Sequence, residues 1–301
     1  MSLSSSHRNP IQLKGKIILI REQVPLSQLT TFQNDGVFPR VIDFESIAEV
    51  AAFMSDSDPE SFHILGRGSN SLINPDASVQ TVIRLNHDAV QEEINGSTVR
   101  LGAGMTMNRI QEFAVRHGLA GLEFAAGVPA SLGGMVAMNF GCWGRSVSDF
   151  ISAIQIVDQS GGVRWITPDD AQFGYRKSIF SRQKWMVCAA ELRLEPADPD
   201  DVKLRMLARI RERAQKQPLK DKTFGSIFKN PEGAFAAQCI EAAGLKGKVW
   251  NRVEVSASHA NFLVNRGGAT YFETIEVLHD IQSIVQNDSG IQLEMEVKLL
   301  S

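Results

Sequence analysis

Residues 121–144 read GLEFAAGVPASLGGMVAMNFGCWG and hold six of the chain's 24 glycines, with Glu123 as their only charged residue. Glycine costs backbone entropy in a helix or a strand, so the stretch favours neither. It is also too apolar for a solvated linker. The composition therefore predicts buried irregular backbone against which a large, flat ligand can lie. A tightly packed connection between two core elements explains the stretch equally well.

A second glycine-rich segment, GRGSN at residues 66–70, follows an apolar run at residues 62–65 that predicts a short buried strand. Glycines let backbone N–H groups approach a phosphate, and Ser69 and Asn70 add side-chain donors. The segment is not a Walker loop, and Ser71 stands where a GxGxxG motif needs its third glycine. Taken alone, the segment fits a strand-to-strand turn better than a phosphate site.

The chain up to residue 195 alternates helix and strand patterns without regular βαβ repeats. Helices with capping residues are predicted at 46–54 and 106–118. Strands are predicted at 79–85, 99–101, 151–157, 163–166 and 185–194. The turn DQSGG at 158–162 joins two of these strands as a hairpin.

The pattern changes after PADPDD at residues 196–201, which predicts a linker. A helix from Val202 carries an apolar stripe and a basic face, and an amphipathic helix follows at 272–285. The chain closes with a strand pattern at 291–299, on which Glu294 and Glu296 share one face. The sequence therefore predicts an α+β chain with a break near residue 198.

Composition excludes several classes of protein. The chain has 301 residues and a net charge of −3, which predicts two or three domains and argues against a general nucleic-acid binder. Its three cysteines form no CxxC pair or Cys/His cluster, so neither a metal site nor a disulfide is expected. The first residues, MSLSSSHRNP, lack a signal-peptide core and are expected to be disordered. We expect a cytoplasmic protein without a membrane segment.

Five blocks in order along the chain resemble those of the UDP-N-acetylenolpyruvoylglucosamine reductase family, flavoenzymes that complete UDP-N-acetylmuramate for bacterial cell-wall synthesis. Each block is weak alone, but all five at suitable spacing make a specific pattern. The resemblance runs from about residue 26 to the C-terminus and looks like the shorter, type II form. The blocks are LGRGSN at 65–70, residues 121–144, YRKS at 175–178, GSIFKNP at 225–231 with AGLKG at 243–247, and SHANF at 258–262 with LEMEV at 293–297.

The resemblance implies an FAD-binding fold of the vanillyl-alcohol-oxidase type. Two FAD-binding subdomains would occupy residues 1–85 and 86–197, and an α/β substrate-binding domain would occupy residues 198–301. Non-covalent FAD would be held by the glycine-rich blocks. The implied FAD contacts are Gly66, Arg67, Gly68, Ser69, Asn70, Ser71, Gly127, Val128, Pro129, Ser131, Gly133, Gly134, Asn139, Gly141 and Gly144.

The implied reaction has two half-reactions. NADPH reduces FAD and leaves, and the flavin then gives a hydride to UDP-N-acetylglucosamine enolpyruvate. By resemblance, Arg176 would hold the substrate carboxylate, and Ser226 would give a proton to the carbanion. Glu296 would lie across the carboxylate in its protonated form, with its pKa raised by burial and by the nearby anion. Without the resemblance, a surface ion pair is the favoured interpretation of Arg176 and a helix or turn cap is that of Ser226. A solvated strand face is an alternative for Glu294 and Glu296.

Further substrate contacts are predicted at Tyr175, Lys229, Asn230 and His259, although core packing explains Tyr175 equally well and a lone His is more often structural. We also expect a monomer with no metal and no nucleic-acid partner. The chain also departs from the family pattern. Ala130 stands where Gly is usual. Phe140 replaces a usual Ala and would narrow the cofactor or nicotinamide space.

Two other functions fit the same fold. One is an FAD-dependent oxidoreductase with another substrate, which the combination of Arg176, Ser226 and Glu296 disfavours because these residues suit an enol carboxylate. The other is a non-catalytic relative that binds flavin or a nucleotide sugar; the same three residues disfavour it, whereas the departures at Ala130 and Phe140 leave it open. Hydride transfer by flavin-loaded protein would distinguish the enzymes from the binding protein.

Overall fold

The computed structural model describes residues 8–13 and 16–301. The expectation of disorder for the Ser-rich start falls largely on residues 1–7, outside the described residues. Helices and sheets are interspersed along the chain, which confirms the predicted α+β class. Among the described residues, no helix combines the length and the apolar composition that a bilayer span requires.

The first two helices begin directly after the predicted capping residues, whereas the helix expected from Val202 begins at Pro199, inside the predicted linker. Ser46 accepts a hydrogen bond from the backbone N–H of Glu49, and Thr106 accepts one from Arg109. Gly118 ends the second helix with a φ of +60°, the left-handed conformation that favours glycine. The seven α-helices in this part of the chain are α1 Ile47–Asp56, α2 Met107–His117, α3 Leu132–Ala137, α4 Pro168–Ala171, α5 Pro199–Lys216, α6 Ala236–Ala242 and α7 Tyr271–Ser289.

The strands are mostly short, and several pair with strands that are distant along the chain. In the first part they are β1 Arg8–Leu13, β2 Lys16–Pro25, β3 Val37–Phe44, β4 His63–Ile64, β5 Ser71–Ile73, β6 Thr81–Leu85, β7 Glu93–Asn95, β8 Thr98–Gly102, β9 Leu119–Ala120 and β10 Gly141–Cys142. The second part has β11 Arg145–Ser146, β12 Ile151–Val157, β13 Val163–Ile166, β14 Met186–Arg193, β15 Glu195–Pro196, β16 Val249–Trp250, β17 Val253–Val255, β18 Leu263–Asn265 and β19 Lys298–Leu300.

The chain divides into two compact units that are each discontinuous in sequence. The larger unit contains the described residues up to Glu22, Arg40–Arg67 and Val79–Arg211. The smaller unit contains Gln23–Pro39, Gly68–Ser78 and Glu212–Ser301. The boundaries drawn from the sequence at 85/86 and 197/198 stay a prediction.

The larger unit is built on two five-stranded sheets. In the first, the strand order is β1-β2-β3-β6-β4, and β6 runs parallel to both β3 and β4. The second has the order β13-β12-β14-β8-β7 and is antiparallel throughout. The apolar side of α2 and the buried residues of α3 pack in one core with this second sheet. That core fixes residues 121–144, because Leu122, Phe124 and Leu132 are buried in it.

The smaller unit combines the C-terminal chain with two earlier segments. Its core contains Phe32 and Leu72 together with Phe224, Ile227 and residues of α6 and α7. The sheet β16-β17-β18 is antiparallel, whereas β19 pairs with β5 in parallel. The discontinuous core therefore gathers three separate parts of the sequence.

Three local predictions are wrong. The strand pattern at 291–299 forms a strand only at β19, and it places Leu299 outward and Glu296 inward. In α7, the predicted apolar face is buried at Leu278, Ile281 and Val285, but Phe272 at its start is exposed and the neighbouring Tyr271 is buried in its place. In α5, Arg213 is only 6% exposed and donates to Gln217 instead of joining the solvated basic face.

Candidate active site

The glycines of the segment 66–70 are required by contacts within the protein. A Cβ on Gly66 would lie 2.6 Å from Oγ of Ser131. Gly68 has a φ of +62°, and its Cβ would lie 2.1 Å from the carbonyl oxygen of Leu29. Both glycines therefore pack closely against neighbouring protein atoms, as expected for a turn. This packing leaves the predicted phosphate role of the segment a prediction.

Helix α3 is the helical part of residues 121–144, and it forms despite two adjacent glycines. Oγ of Ser131 accepts from the N–H of Gly134 at 3.4 Å, which caps the first turn. The two glycines face different surroundings. A Cβ on Gly133 would lie 3.0 Å from Cβ of Ala103, whereas a Cβ on Gly134 would meet only Oγ of Ser131, at 3.4 Å.

The space beside Gly134 has features that suit a flavin. The missing side chain leaves bare helical backbone bordered by a hydroxyl, so a planar group can approach the main chain closely. Half-buried Val128 and exposed Pro129 lie in the same stretch, and Gly127 has a φ of +78°. Bare backbone, a hydroxyl and apolar side chains suit the phosphates and the ring system of FAD.

Asn139 connects this stretch to a neighbouring turn. It has a φ of +41°, and its Nδ2 donates to the carbonyl oxygen of Gly174 at 3.0 Å. Its Oδ1 accepts from the N–H of Ser148 at 3.3 Å. Both ends of this buried amide are thus used within the protein. The amide positions backbone, which is a role that the sequence did not indicate.

The hairpin of β10 and β11 follows Asn139. A Cβ on Gly141 would lie 2.8 Å from the carbonyl oxygen of Arg145, so this glycine is required by strand pairing. Trp143 and Gly144 form the tip with φ values of +52° and +74°, and nothing lies within 4 Å of a Cβ on Gly144. Of the two predicted glycines, only Gly144 has open space beside it.

Arg176 lies at the tip of a tight turn in the larger unit. Gly174 and Lys177 exchange backbone hydrogen bonds of 2.9 and 3.2 Å, and Arg176 has a φ of +53°. This left-handed conformation costs free energy in a non-glycine residue. Oγ of Ser178 donates to the carbonyl oxygen of Ala137 at 2.6 Å and ties the turn to the end of α3.

The side chains at this tip differ in burial. Tyr175 is 58% exposed, whereas Arg176 is half-buried. The guanidinium carbon of Arg176 lies 5.4 Å from the ring centroid of Phe140. It lies at the same distance from the ring of Tyr175. The predicted carboxylate-binding residue is therefore held by a strained turn and by aromatic rings.

In the smaller unit, the segment that contains Ser226 lies beside the segment that contains Glu296. The residue after Ser226, Ile227, forms the backbone hydrogen bond that joins them. The N–H of Glu296 donates to the carbonyl oxygen of Ile227 at 2.8 Å, while the N–H of Ile227 donates to Asn261 at 3.0 Å. Ser226 itself forms a bridge with Phe262. The segment 226–229 is thus paired on both sides, by 261–262 and by 294–297. The blocks of the resemblance that contain Ser226 and Glu296 are neighbours in space.

The two glutamates of the final block have different surroundings. Glu296 is 9% exposed, and its backbone carbonyl accepts from Nδ2 of Asn70 at 3.1 Å. Glu294 is exposed, and its carboxylate pairs with Nζ of Lys229. The buried glutamate is the one on which the resemblance places the catalytic role.

The remaining predicted contacts have structural partners. Oδ1 of Asn230 accepts from the N–H of Ala236 at 3.1 Å, at the start of α6. Nδ1 of His259 accepts from the N–H of Asn261 at 3.2 Å, so it must be unprotonated. Burial and then the charge of Lys246 lower the pKa of His259 below its usual value. Neutral His259 is therefore an acceptor that shapes the 258–262 turn.

Asn261 and Phe140 are the residues that sequence reasoning missed. Asn261 is buried, and its amide exchanges hydrogen bonds of 2.8 and 3.0 Å with the backbone of Phe228. A buried amide in an otherwise apolar run was the available signal. Phe140 departs from the family pattern, and the pattern gives no sign that its ring lies near Arg176. Arg176 and Tyr175 lie in the larger unit, and Ser226, Lys229 and Glu296 lie in the smaller unit.

Two family models match the chain. One describes an FAD binding domain and covers residues 39–167. The other describes the C-terminal domain of UDP-N-acetylenolpyruvoylglucosamine reductase and covers residues 217–300. The second match contains the Ser226 and Glu296 segments, and the first contains residues 121–144.

Proteins with this name are similar to the chain over nearly their whole length. The UDP-N-acetylenolpyruvoylglucosamine reductase of Halalkalibacterium halodurans is 32% identical over 284 residues, which cover 93% of this chain and 94% of that protein. The protein of that name from Alkalilimnicola ehrlichii is 34% identical, with the same coverage. The crystal structure of UDP-N-acetylenolpyruvylglucosamine reductase from Thermus caldophilus has a TM-score of 0.81 and 30% identity, and the match covers 94% of this chain and 99% of that one.

Proposed function

This chain belongs to the UDP-N-acetylenolpyruvoylglucosamine reductase family, and we propose that NADPH is its reductant and that Arg176, Ser226 and Glu296 carry its chemistry. The chain is an FAD-dependent oxidoreductase that reduces UDP-N-acetylglucosamine enolpyruvate in the synthesis of peptidoglycan precursors. When bound, FAD supplies the hydride that goes to the terminal carbon of the enol. The alternative substrates and the non-catalytic role are not favoured.

Arg176 binds and orients the substrate carboxylate in this proposal. Its guanidinium is a planar fork with donors on its edges, which matches the two oxygens of a carboxylate. Negative charge moves onto that carboxylate as the hydride arrives, so a fixed positive group stabilises the transition state more than the ground state. The tight turn 174–177 holds the side chain in place beforehand.

Ser226 delivers the proton to the carbon that bears the carboxylate. A serine hydroxyl is a weak acid, so it must lie close to the carbanion and be well oriented. Gly225, with a φ of +82°, and the bridge between Ser226 and Phe262 fix the backbone at this point. Glu296, in its protonated form, donates to the carboxylate and avoids the repulsion that an ionised group would cause.

The observation that carries the proposal is the pairing around Ile227. It brings Ser226 beside the segment of Glu296 and buries that glutamate, while Glu294 two residues earlier stays exposed and paired. A solvated pair of glutamates would have no such asymmetry. The FAD contacts given above, a monomeric state and a cytoplasmic location complete the proposal.

The test uses anaerobic visible spectra of flavin-loaded protein and of its Ser226→Ala variant. We expect NADPH to bleach both proteins. The enolpyruvyl substrate should restore the flavin spectrum of the unchanged protein at once and that of the variant at least about 100-fold more slowly, the contribution typical of a general acid. Ser283→Ala, on the exposed side of α7, is the matched control. Equal loss of both half-reactions in Ser226→Ala would contradict the proton-donor role.

A further inference from the structure

Asn261 lies where a short antiparallel pairing in the smaller unit ends. Ser226 forms a bridge with Phe262, and the N–H of Ile227 donates to the backbone carbonyl oxygen of Asn261 at 3.0 Å. The backbone pairing goes no further, because residues 259–262 form a turn that is closed by a hydrogen bond of 3.1 Å from the N–H of Phe262. The residue that follows Ile227 therefore has no strand backbone opposite it on this side.

The side chain of Asn261 takes the place of that backbone. Its Oδ1 accepts from the N–H of Phe228 at 3.0 Å, and its Nδ2 donates to the carbonyl oxygen of the same residue at 2.8 Å. A side-chain amide presents one acceptor and a donor, as a peptide group does. The amide therefore continues the pairing by one residue after the neighbouring chain has turned away.

The amide itself is held in a single orientation. Asn261 is 4% exposed, and its backbone N–H donates to Nδ1 of His259 at 3.2 Å. Its backbone and side-chain polar groups are thus all used within the protein. Rotation of the side chain would take both hydrogen bonds from the backbone of Phe228, and buried polar groups that lose their partners cost free energy. Asn261 is therefore a rigid support for Phe228.

Phe228 connects this support to both segments of the candidate site. It lies two residues after Ser226 in the sequence, and it forms a bridge with Met295 on its other side. The residue after Met295 is Glu296, whose N–H donates to the carbonyl oxygen of the residue before Phe228 at 2.8 Å. Asn261 therefore supports the segment of Ser226 from the side opposite to the segment of Glu296.

We infer that Asn261 is a positioning residue that fixes residues 226–228 so that the hydroxyl of Ser226 reaches the substrate carbanion. The inference rests on the proposed role of Ser226 as the proton donor. A weakly acidic hydroxyl transfers its proton only when it is close to the carbanion and aligned with it. A displacement of about 1 Å can lower the rate of such a step about 100-fold. Asn261 has this effect without touching the substrate.

The test compares Asn261→Ala with Asn265→Ala in flavin-loaded protein. Asn265 is the matched control because it is equally buried in the same unit, and its side chain donates to the backbone of residues 32 and 33. Both substitutions should lower the Tm, since each removes a buried amide. The Tm alone therefore does not separate a positioning role from a structural one.

Anaerobic stopped-flow absorbance separates the two roles. We expect NADPH to bleach the flavin at the same rate in both variants and in the unchanged protein. At saturating enolpyruvyl substrate, Asn261→Ala should reoxidise its flavin about 10-fold to 100-fold more slowly, with little change in KM, and Asn265→Ala should not. Equal slowing of both half-reactions, or equal slowing in the two variants, would overturn the inference. Asn261→Ser replaces Asn261→Ala if that variant does not fold.

A double-mutant cycle decides whether Asn261 acts through Ser226. In the Ser226→Ala background, Asn261→Ala should slow reoxidation no further, and an undiminished effect would contradict the positioning role. If Ser226→Ala alone reoxidises its flavin at the full rate, the proton-donor role fails and the inference falls with it. If Ser226→Ala is slow and Asn261→Ala is not, the proposed function stands and only the inference fails.

Discussion

At the scale of single residues, the two glutamates of the final block differ in burial, and the catalytic role is proposed only for Glu296. Glu296 is buried, and Glu294 forms an exposed ion pair with Lys229. Exposed pairs contribute little to stability, because water and salt screen them. The two side chains are therefore a matched pair for mutagenesis.

We predict that Glu296→Gln retains more activity than Glu296→Ala. Gln is neutral and can donate a hydrogen bond, as a protonated glutamate does, whereas Ala removes the donor. Loss of one such donor lowers kcat about 100-fold to 1,000-fold in comparable sites, and Glu296→Ala should fall in that range. Glu294→Gln should leave kcat and KM unchanged. Steady-state kinetics measure all three, and equal loss in the Gln and Ala variants would contradict a protonated role for Glu296.

Gly133 and Gly134 form a second matched pair. Gly134→Ala adds a Cβ toward open space within α3, where replacement of Gly by Ala typically favours the helix by about 0.5–1 kcal/mol. The thermal stability of the flavin-free protein should therefore hold or rise, while FAD affinity falls. Gly133→Ala presses on Ala103 and should lower stability instead. Flavin titration and thermal unfolding separate the two outcomes, and unchanged FAD affinity in Gly134→Ala would place the flavin elsewhere.

His259 makes stability depend on pH. Burial lowers its pKa below 6.5, so between the two values the unfolded chain binds more protons than the folded one. Stability is then complete above about pH 6.5 and falls as the pH drops toward the lower folded pKa. His63, whose pKa is lowered by burial and then by Lys184, adds to the same trend. His259→Asn keeps an acceptor and should flatten the decline in urea-unfolding free energy between pH 6.5 and 5. An unchanged slope would contradict this assignment.

At the scale of elements, the outcome of sequence reasoning depended on whether local or distant contacts decide the structure. Thr106 and Gly118 bound α2 as predicted, because capping and φ are local. Helix α3 was not predicted, since its glycines oppose a helix and burial of Leu132, Met135 and Val136 overcomes that preference. Alternation at 291–299 breaks because the backbone of Glu296 pairs with Ile227 and Asn70, contacts that no local pattern contains.

The candidate site also depends on contacts between residues that are distant in the sequence. The resemblance placed Ser226 and Glu296 in separate blocks, but only the fold shows that Ile227 joins them. Phe140 stacks on Phe124, which stacks on Phe150, and the spacing of these residues in the sequence gives no periodic signal. The approach of Arg176 to the Phe140 ring could not be inferred from residue types alone.

Helix α5 presents its basic residues to contacts within the larger unit. The guanidinium of Arg209 lies 4.7 Å from the ring centroid of Trp143, and Nε of Arg205 lies 3.5 Å from Glu123. We predict that charge reversal at Arg209 and at exposed Arg211 leaves the KM for the enolpyruvyl substrate nearly unchanged. Arg213→Gln should instead lower the Tm, because this arginine is buried. A large rise in KM for the Arg209 and Arg211 variants would show that the helix guides the substrate.

At the scale of the whole molecule, the C-terminal part of the chain depends on two early segments. Phe32 and Leu72 are fully buried in the same core as Phe224 and Leu278. Nδ2 of Asn265 donates to the carbonyl oxygen of Phe32 at 2.9 Å. Strand β19 has its parallel partner in β5. Continuity of sequence is therefore a poor guide to continuity of the core in this chain.

We predict that residues 198–301, expressed alone, do not unfold cooperatively. Removing a buried Phe side chain typically costs about 3–5 kcal/mol and removing a buried Leu about 2–5 kcal/mol, against a total stability of about 5–15 kcal/mol. The fragment lacks Phe32 and Leu72 and also leaves β19 without a partner. Urea titration followed by tryptophan fluorescence and near-UV circular dichroism measures the transition, with the full chain as the control. Adding residues 23–78 ahead of the fragment through a flexible linker should restore a cooperative transition, because it returns both buried side chains and β5. A sharp transition in the isolated fragment would show that the C-terminal segment supplies a sufficient core by itself and that the early segments only cover it.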